Sequence, residues 1–207
     1  MRIVCLDLEG VLIPEVWISV AERTGIAELR LTTRDEPNYD VLMKRRLAIL
    51  DQHRLGLTQI QQVIETMDPL PGARAFIDGL RERYQVVILS DTFYEFAQPF
   101  MRKLGWPTLL CHWLSVDGNG RIADYHLRQK DPKRHAVRAL RDLNFQVVAS
   151  GDSYNDTSML AEAHAGILFR APENVVREFP AFKHVPEQYD ELAREIAAAF
   201  ARIPTAH

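Results

Sequence analysis

Ile3-Val4-Cys5-Leu6-Asp7-Leu8-Glu9-Gly10-Val11 is the stretch that decides the fold of this chain. Its β-branched and apolar residues predict a buried strand, and two acidic residues follow where that strand ends. Because side chains two positions apart on a strand share one face, Asp7 and Glu9 are expected to lie close together. Adjacent carboxylates repel each other, which favours a divalent metal ion and a nucleophile at this point. A solvated acidic turn is the alternative.

The composition is that of one globular domain, or of one core domain with an insertion. The chain has 207 residues, 47% of them hydrophobic and 26% charged. The net charge of −3 gives no electrostatic reason to expect nucleic acid or an anionic membrane as a partner. We expect neither a signal peptide nor a membrane span, and Cys5 and Cys111 are expected to be buried rather than paired. The expected location is cytoplasmic, and a monomer and a homodimer both stay open.

Strands and helices alternate from residue 73 onward, after a stretch that is helical throughout. Apolar spacing and breaker residues predict early helices at about 15–24, 39–53 and 58–66. Later strands are predicted at 85–90, 108–112, 146–152 and 166–169, with a hairpin at 113–127. This alternation predicts an α/β fold, a Rossmann-like parallel sheet core with helices on both faces, plus a small helical cap inserted after the first strand. The predicted core comprises residues 1–13 and 71–207, and the predicted cap residues 14–70.

Polar clusters follow three of the predicted strands, which points to one shared site. They are Asp7 with Glu9, Ser90-Asp91-Thr92, and Gly151-Asp152-Ser153-Tyr154-Asn155-Asp156. Ligands of open α/β sheets bind beyond the carboxyl ends of the strands, where these clusters are expected to meet. Carboxylates without accompanying histidine or cysteine ligands favour Mg²⁺, and the scattered histidines give no reason to expect zinc.

A lysine in the first turn of a predicted helix is a candidate phosphate ligand. Lys133 follows Pro132, at a position where the helix dipole disfavours a cation unless a phosphate lies beside it. A solvated surface lysine is the alternative, and Lys130 is the rival candidate. An aspartate such as Asp7 can form an acyl-phosphate, and Ser90 and Thr92 can donate to phosphoryl oxygens.

Together these motifs resemble the four motifs of the haloacid dehalogenase superfamily of phosphotransferases, in order and strand placement over essentially the whole chain. The motifs are the strand end at Asp7, Ser90 after a buried strand, Lys133, and the segment from Gly151 to Asp156. The last of these is the most specific, and the others are persuasive only together. The helical insert resembles the small cap domain of phosphoserine phosphatases.

This resemblance implies an Mg²⁺-dependent enzyme that takes a phosphoryl group from phosphoserine and passes it to homoserine or water. It implies that Asp7 is the phosphorylated nucleophile, and that Glu9 is the acid/base whose backbone carbonyl also binds the metal. Asp7 and Asp152 complete the implied metal site, with Asp156 behind them. The implied phosphate and substrate ligands are Ser90, Asp91, Lys133 and Asn155.

The resemblance also implies how a cap would recognise an amino acid. Glu15 matches the glutamate that contacts the substrate ammonium group, allowing for a one-residue gap. One basic residue of Lys44-Arg45-Arg46 would bind the substrate carboxylate. Bidentate geometry favours arginine, and we select Arg46. A solvated helix face is the alternative for this triplet.

The chain departs from the family pattern at two places. These departures bear on the hydrolysis of the phosphoserine ester by water, and they leave the nucleophile and the metal site unchanged. Glu9-Gly10 stands where most members carry Asp followed by Ser or Thr, and Ser90-Asp91-Thr92 stands where phosphoserine phosphatases usually show Ser-Gly-Gly. One alternative is a plain phosphomonoesterase of the same superfamily. Another is a phosphoacceptor signalling domain, whose acceptor aspartate is expected on an internal strand. A dinucleotide-binding domain is excluded because no Gly-x-Gly-x-x-Gly follows the first strand.

Overall fold

The computed structural model describes residues 1–32, 35–36 and 38–204, and within them a seven-stranded sheet has the order β4-β3-β2-β1-β5-β6-β7. Neighbouring strands pair in parallel, except that β3 and β4 are antiparallel. The strands are β1 (Arg2–Leu6), β2 (Gln85–Phe93), β3 (Thr108–Val116), β4 (Ile122–His126), β5 (Gln146–Gly151), β6 (Ala165–Phe169) and β7 (Lys183–Val185). This arrangement confirms the predicted α/β fold.

The helices separate these strands along the chain. They are α1 (Val16–Thr24), α2 (Tyr39–Gln52), α3 (Leu57–Glu65), α4 (Ala73–Arg81), α5 (Tyr94–Lys103), α6 (Pro132–Asp142), α7 (Thr157–Glu162), α8 (Glu173–Glu178) and α9 (Tyr189–Arg202), with short 3₁₀ turns at Ala27–Arg30 and Tyr154–Asp156. Across the described ranges, none of them combines the length and the apolar character that crossing a membrane requires.

Both faces of the sheet are covered, which explains the continuous apolar character of β1. Val4 and Leu6 pack in the core cluster that contains side chains of α4 and α9, whereas Ile3 and Cys5 pack in the cluster that contains side chains of α6 and α7. Alternate residues of a strand face opposite sides, so a strand buried on both sides needs apolar residues at every position.

The helices between β1 and α4 are tied to the rest of the chain by specific contacts. Pro99 lies inside α5 and has no N–H, so the carbonyl oxygen of Glu95 loses its usual helical donor. The side chain of Gln61 on α3 donates to that oxygen at 2.8 Å. Gly56, just before α3, meets the β3–β4 turn, where the Leu57 N–H donates to the Gly120 carbonyl at 2.8 Å. Residues 33, 34 and 37 of the predicted cap lie outside the described residues.

The sequence predictions differ from the structure in three places. β2 continues to Phe93, so Ser90-Asp91-Thr92 belongs to the end of the strand instead of following it. β3 runs without a break into the predicted hairpin, because residues 113–116 stay paired with β4. The short elements α8 and β7 were not predicted, since six and three residues are too few to show a period.

Candidate active site

The three predicted polar clusters meet at the carboxyl edge of the sheet. Asp7 follows β1 and is 4% exposed, and its backbone N–H donates to the Ser150 carbonyl of β5 at 2.9 Å. Because β1 lies between β2 and β5, the ends of these strands surround one cavity of about 330 Å³. The predicted site residues that line it are Asp7, Glu9, Glu15, Arg46, Ser90, Asp91, Lys133, Asp152 and Asn155.

Three carboxylates at this edge of the sheet form a group that suits a hard cation. Each of Asp7, Asp152 and Asp156 offers an oxygen, and these oxygens lie within 4.8 Å of one another. Burial, followed by the neighbouring carboxylates, raises the pKa of Asp7 well above its usual range and that of Asp152 to about 7. A divalent cation bound by oxygen ligands would offset this repulsion, so the donor set fits Mg²⁺. The Glu9 side chain is not part of this group.

Lys133 is the buried cation among these acids. Its Nζ donates to Asp7 Oδ1 and to Asp156 Oδ1, each at 2.8 Å, and lies 3.5 Å from Asp91 Oδ2. Burial lowers the pKa of this ammonium, but the three carboxylates outweigh that effect and raise it well above its usual range. The rival candidate Lys130 is exposed. Lys133 is therefore the lysine that lies beside the predicted nucleophile.

Asp156 connects Lys133 to the loop after β5. Its Oδ2 accepts from the backbone N–H groups of Asp152 and Ser153 at 3.0 and 3.2 Å. A Cβ atom at Gly151 would overlap the Asp156 side chain. The glycine in the Gly151-Asp152 motif is thus needed for the close approach that holds this carboxylate in place.

Glu9 points toward the start of α1. Its Oε2 accepts from the Val16 N–H at 2.9 Å, so the carboxylate caps a helix whose N-cap residue, Glu15, makes no side-chain cap. Burial, followed by the charge of Glu15, raises the pKa of Glu9 to about 8. The adjacent Gly10 has a φ of 76°, and a Cβ atom there would overlap the Asp152 carboxylate. The Ser or Thr of the family pattern would therefore be strained at position 10 of this structure.

Arg46 is the one member of its basic triplet that lies in the cavity. Lys44 and Arg45 are exposed, whereas Arg46 is 7% exposed. Its guanidinium lies 4.5 Å from the ring centroid of Trp17 and donates to the Leu31 carbonyl at 2.7 Å. Its Nε has no hydrogen-bond partner among the described residues, and burial lowers its pKa to about 10. The exposed Glu15 lines the same cavity.

Asp91 is held by neighbours on three elements. Its Oδ2 accepts from Asn155 Nδ2 at 2.8 Å, and its Oδ1 lies 3.5 Å from Nε2 of the buried His112 on β3. Burial raises the pKa of Asp91, but Lys133, His112 and Asn155 together hold it well below its usual range. Sequence reasoning missed His112, because no motif or spacing marks it. Only the pairing of His112 with Phe93 at the end of β2 brings it here.

The sequence has similar relatives among known proteins. A phosphoserine phosphatase named ThrH from Pseudomonas aeruginosa is 64% identical over 202 residues, covering 98% of each chain. A phosphoserine phosphatase from Pseudomonas syringae is 63% identical over 199 residues, covering 96% of this chain and 84% of the relative.

A solved structure has a fold similar to that of this chain. A crystal structure of phosphoserine phosphatase in its apo form superposes with a TM-score of 0.75 at 22% identity, covering 95% of this chain and 98% of that one. Residues 1–164 match the haloacid dehalogenase-like hydrolase family, a range that includes the four motifs and every predicted site residue. The chain therefore belongs to the haloacid dehalogenase-like hydrolase family of enzymes.

Proposed function

We propose that this enzyme is a Mg²⁺-dependent phosphoserine:homoserine phosphotransferase and phosphoserine phosphatase. It would take the phosphoryl group of phosphoserine onto Asp7 and pass it to homoserine or to water. The names of the Pseudomonas relatives support phosphoserine as the donor. We also propose that residues 1–13 and 71–207 form the catalytic core and that residues 14–70 form a cap that selects the substrate.

The buried guanidinium of Arg46 is the observation that carries this proposal. A nearly buried cation whose Nε has no partner among the described residues is costly unless an anion joins it. Arg46 shares its cavity with Asp7 and Lys133, so one ligand can place a phosphoryl group at Asp7 and a carboxylate at Arg46. Glu15 lines the same cavity and offers a carboxylate to an ammonium group. These three groups match phosphoserine.

In the first step, an Asp7 carboxylate oxygen attacks phosphorus and the bond from phosphorus to the serine oxygen breaks. The departing serine oxygen takes the proton of Glu9, whose raised pKa keeps that proton on the carboxyl group at neutral pH. Lys133, already at hydrogen-bond distance from Asp7, neutralises charge that develops on the phosphoryl oxygens. Ser90 and Asn155 line the same cavity and donate to the phosphoryl group or the substrate.

In the second step, Glu9 takes the proton of an acceptor hydroxyl. The acceptor oxygen attacks phosphorus, and the acyl-phosphate bond to Asp7 breaks. Mg²⁺, when bound by Asp7, Asp152 and the Glu9 backbone carbonyl, would supply positive charge to the transferring group. Asp156 accepts hydrogen bonds from Lys133 and from the loop after β5, and so fixes the position of both during the two steps.

Phosphorus-31 NMR tests the proposal directly. The enzyme is incubated with phosphoserine and Mg²⁺, with and without excess homoserine. We expect a phosphohomoserine signal that grows at the expense of inorganic phosphate when homoserine is present. Inorganic phosphate that homoserine does not change would leave a phosphatase and refute the transfer. Intact phosphoserine would refute the substrate, and a panel of other phosphomonoesters would then follow.

Two lysine variants provide a matched control for this assay. Lys133→Met removes the buried ammonium group and should abolish turnover, whereas Lys130→Met changes an exposed lysine and should leave it unchanged. Asp7→Asn removes the nucleophile and should leave phosphoserine intact. Equal losses in both lysine variants would show that the effect is not specific to the site.

A further inference from the structure

The contact between His112 and Asp91 lies behind the cavity and has no part in the steps described above. His112 is 3% exposed and lies at the register position of β3 that pairs with Phe93 of β2. This pairing places its ring beside the segment that carries Ser90 and Asp91. A polar ring at such a buried position requires partners for its nitrogens.

The hydrogen bonds of His112 determine which nitrogen carries the proton. The backbone N–H of Arg128 donates to His112 Nδ1 at 3.1 Å, so Nδ1 must be an unprotonated acceptor. The proton of the neutral ring then lies on Nε2, which faces Asp91 Oδ1 at 3.5 Å. Asp91 in turn accepts from Asn155 and lies beside Lys133.

We propose that His112 is a positioning residue of the phosphoryl-transfer site, which acts through Asp91 on Lys133 and Asn155. His112 does not itself line the cavity, and it contacts the lining through Asp91. Its Nε2 faces one oxygen of Asp91 at 3.5 Å, while the other oxygen accepts from Asn155 and lies beside Lys133. An aspartate in the second motif, in place of glycine, needs such a partner to keep its carboxylate away from the incoming phosphoryl group.

Two isosteric variants separate this role from simple packing. In His112→Gln the amide reaches the position of Nε2 and can still donate to Asp91, whereas in His112→Asn it reaches only the position of Nδ1 and can pair only with Arg128 N–H. We expect His112→Asn to lower kcat by about tenfold or more, with KM changed less than about twofold because Arg46 and Glu15 are untouched. His112→Gln should retain most of kcat.

The dependence on Asp91 is tested in a double-mutant cycle. In an Asp91→Asn background, His112→Asn should cause no further loss of kcat, because its effect passes through the Asp91 carboxylate. Full additivity, equal losses in the Gln and Asn variants, or a kcat within twofold of wild type in His112→Asn would each overturn the proposal. The inference rests on the proposed function only for its substrate. Rates are therefore also measured with p-nitrophenyl phosphate, whose hydrolysis does not depend on the phosphoserine assignment.

Nitrogen-15 NMR of histidine-labelled protein gives a readout without turnover. The His112 signals are identified by their absence in His112→Gln. We expect an unprotonated Nδ1 and a protonated Nε2, and a shift of the Nε2 signal in Asp91→Asn. A protonated Nδ1, or an Nε2 signal that Asp91→Asn does not change, would refute the proposed contact even if activity were low for another reason.

Discussion

Replacing Arg46 with methionine separates substrate recognition from structural support. Methionine retains an unbranched side chain of similar length but removes the charge. Arg45 is the matched control, because it precedes Arg46 on the same helix and is exposed. If Arg46 binds the substrate carboxylate, Arg46→Met should impair phosphoserine turnover with little effect on stability, and Arg45→Met should affect neither.

The size of both effects follows from the surroundings of Arg46. Leaving a carboxylate without its buried cationic partner costs about 3–5 kcal/mol, so kcat/KM for phosphoserine should fall by about 10²–10⁴-fold. For stability, the lowering of the pKa of Arg46 from its ordinary value to about 10 corresponds to roughly 3 kcal/mol of unfavourable burial of the charge. The contact with Trp17 and the hydrogen bond to Leu31 contribute about the same amount in the opposite direction. The free energy of unfolding should therefore change by less than about 2 kcal/mol.

The assay compares phosphoserine with phosphoethanolamine, which has the same phosphate and ammonium groups but no carboxylate. Arg46→Met should lower kcat/KM for phosphoserine and leave the lower value for phosphoethanolamine nearly unchanged. Urea unfolding of both variants gives the stability. Equal losses with the two substrates, or a loss of more than about 4 kcal/mol in unfolding free energy, would show that Arg46 supports the fold rather than the carboxylate.

Three further predictions concern the acidic residues of the cavity. Because burial raises the pKa of Glu9 to about 8, kcat/KM should fall as pH rises through about 8. Glu9→Gln should be slower by about 10²–10⁴-fold and should not show this pH dependence. A kcat/KM of Glu9→Gln that still falls in this pH range would assign the titration to another group. Asp91 has a lowered pKa in the folded state, so the stability that it contributes is present above pH 4 and is lost as pH falls below it. The difference in unfolding free energy between wild type and Asp91→Asn should accordingly shrink in acid, and a constant difference from pH 7 to pH 3 would contradict this. Gly10→Ala should weaken Mg²⁺ binding measured by calorimetry, since the added methyl group would overlap Asp152; unchanged affinity would contradict the close approach.

The fold could be predicted because its signals are local and strong. β1, β2 and β5 are apolar runs that end in polar clusters, and parallel pairing places those ends at one edge of the sheet, where the strand order makes them neighbours. The neighbours of Lys133 follow from this topology. Lys133 was predicted either to lie beside a phosphate or to be a solvated surface lysine, and in the structure its ammonium group is buried between Asp7 and Asp156.

The contacts that were not predicted are those that depend on strand register and side-chain length. Nothing in the spacing of His112 separates it from the other histidines, since its role depends on the pairing of β3 two residues beyond Leu110, across a register shift in β2. The cap that Glu9 provides for α1 was missed for a related reason. Glu9 is one methylene longer than the Asp of the family pattern, but the N-terminus that it reaches belongs to a helix whose direction the sequence does not specify.

The two departures from the family pattern have the same physical consequence. Glu9 replaces an acidic residue with a longer one, and Asp91 adds an acidic group close to the clustered carboxylates of Asp7, Asp152 and Asp156. In both cases the structure gives the carboxylate polar partners of its own, the Val16 N–H for Glu9 and Asn155 with His112 for Asp91. The contact of Asp7 with Lys133 at 2.8 Å is present beside both groups. The departures therefore change how the surroundings of the nucleophile are supported while leaving the nucleophile and its cation in place.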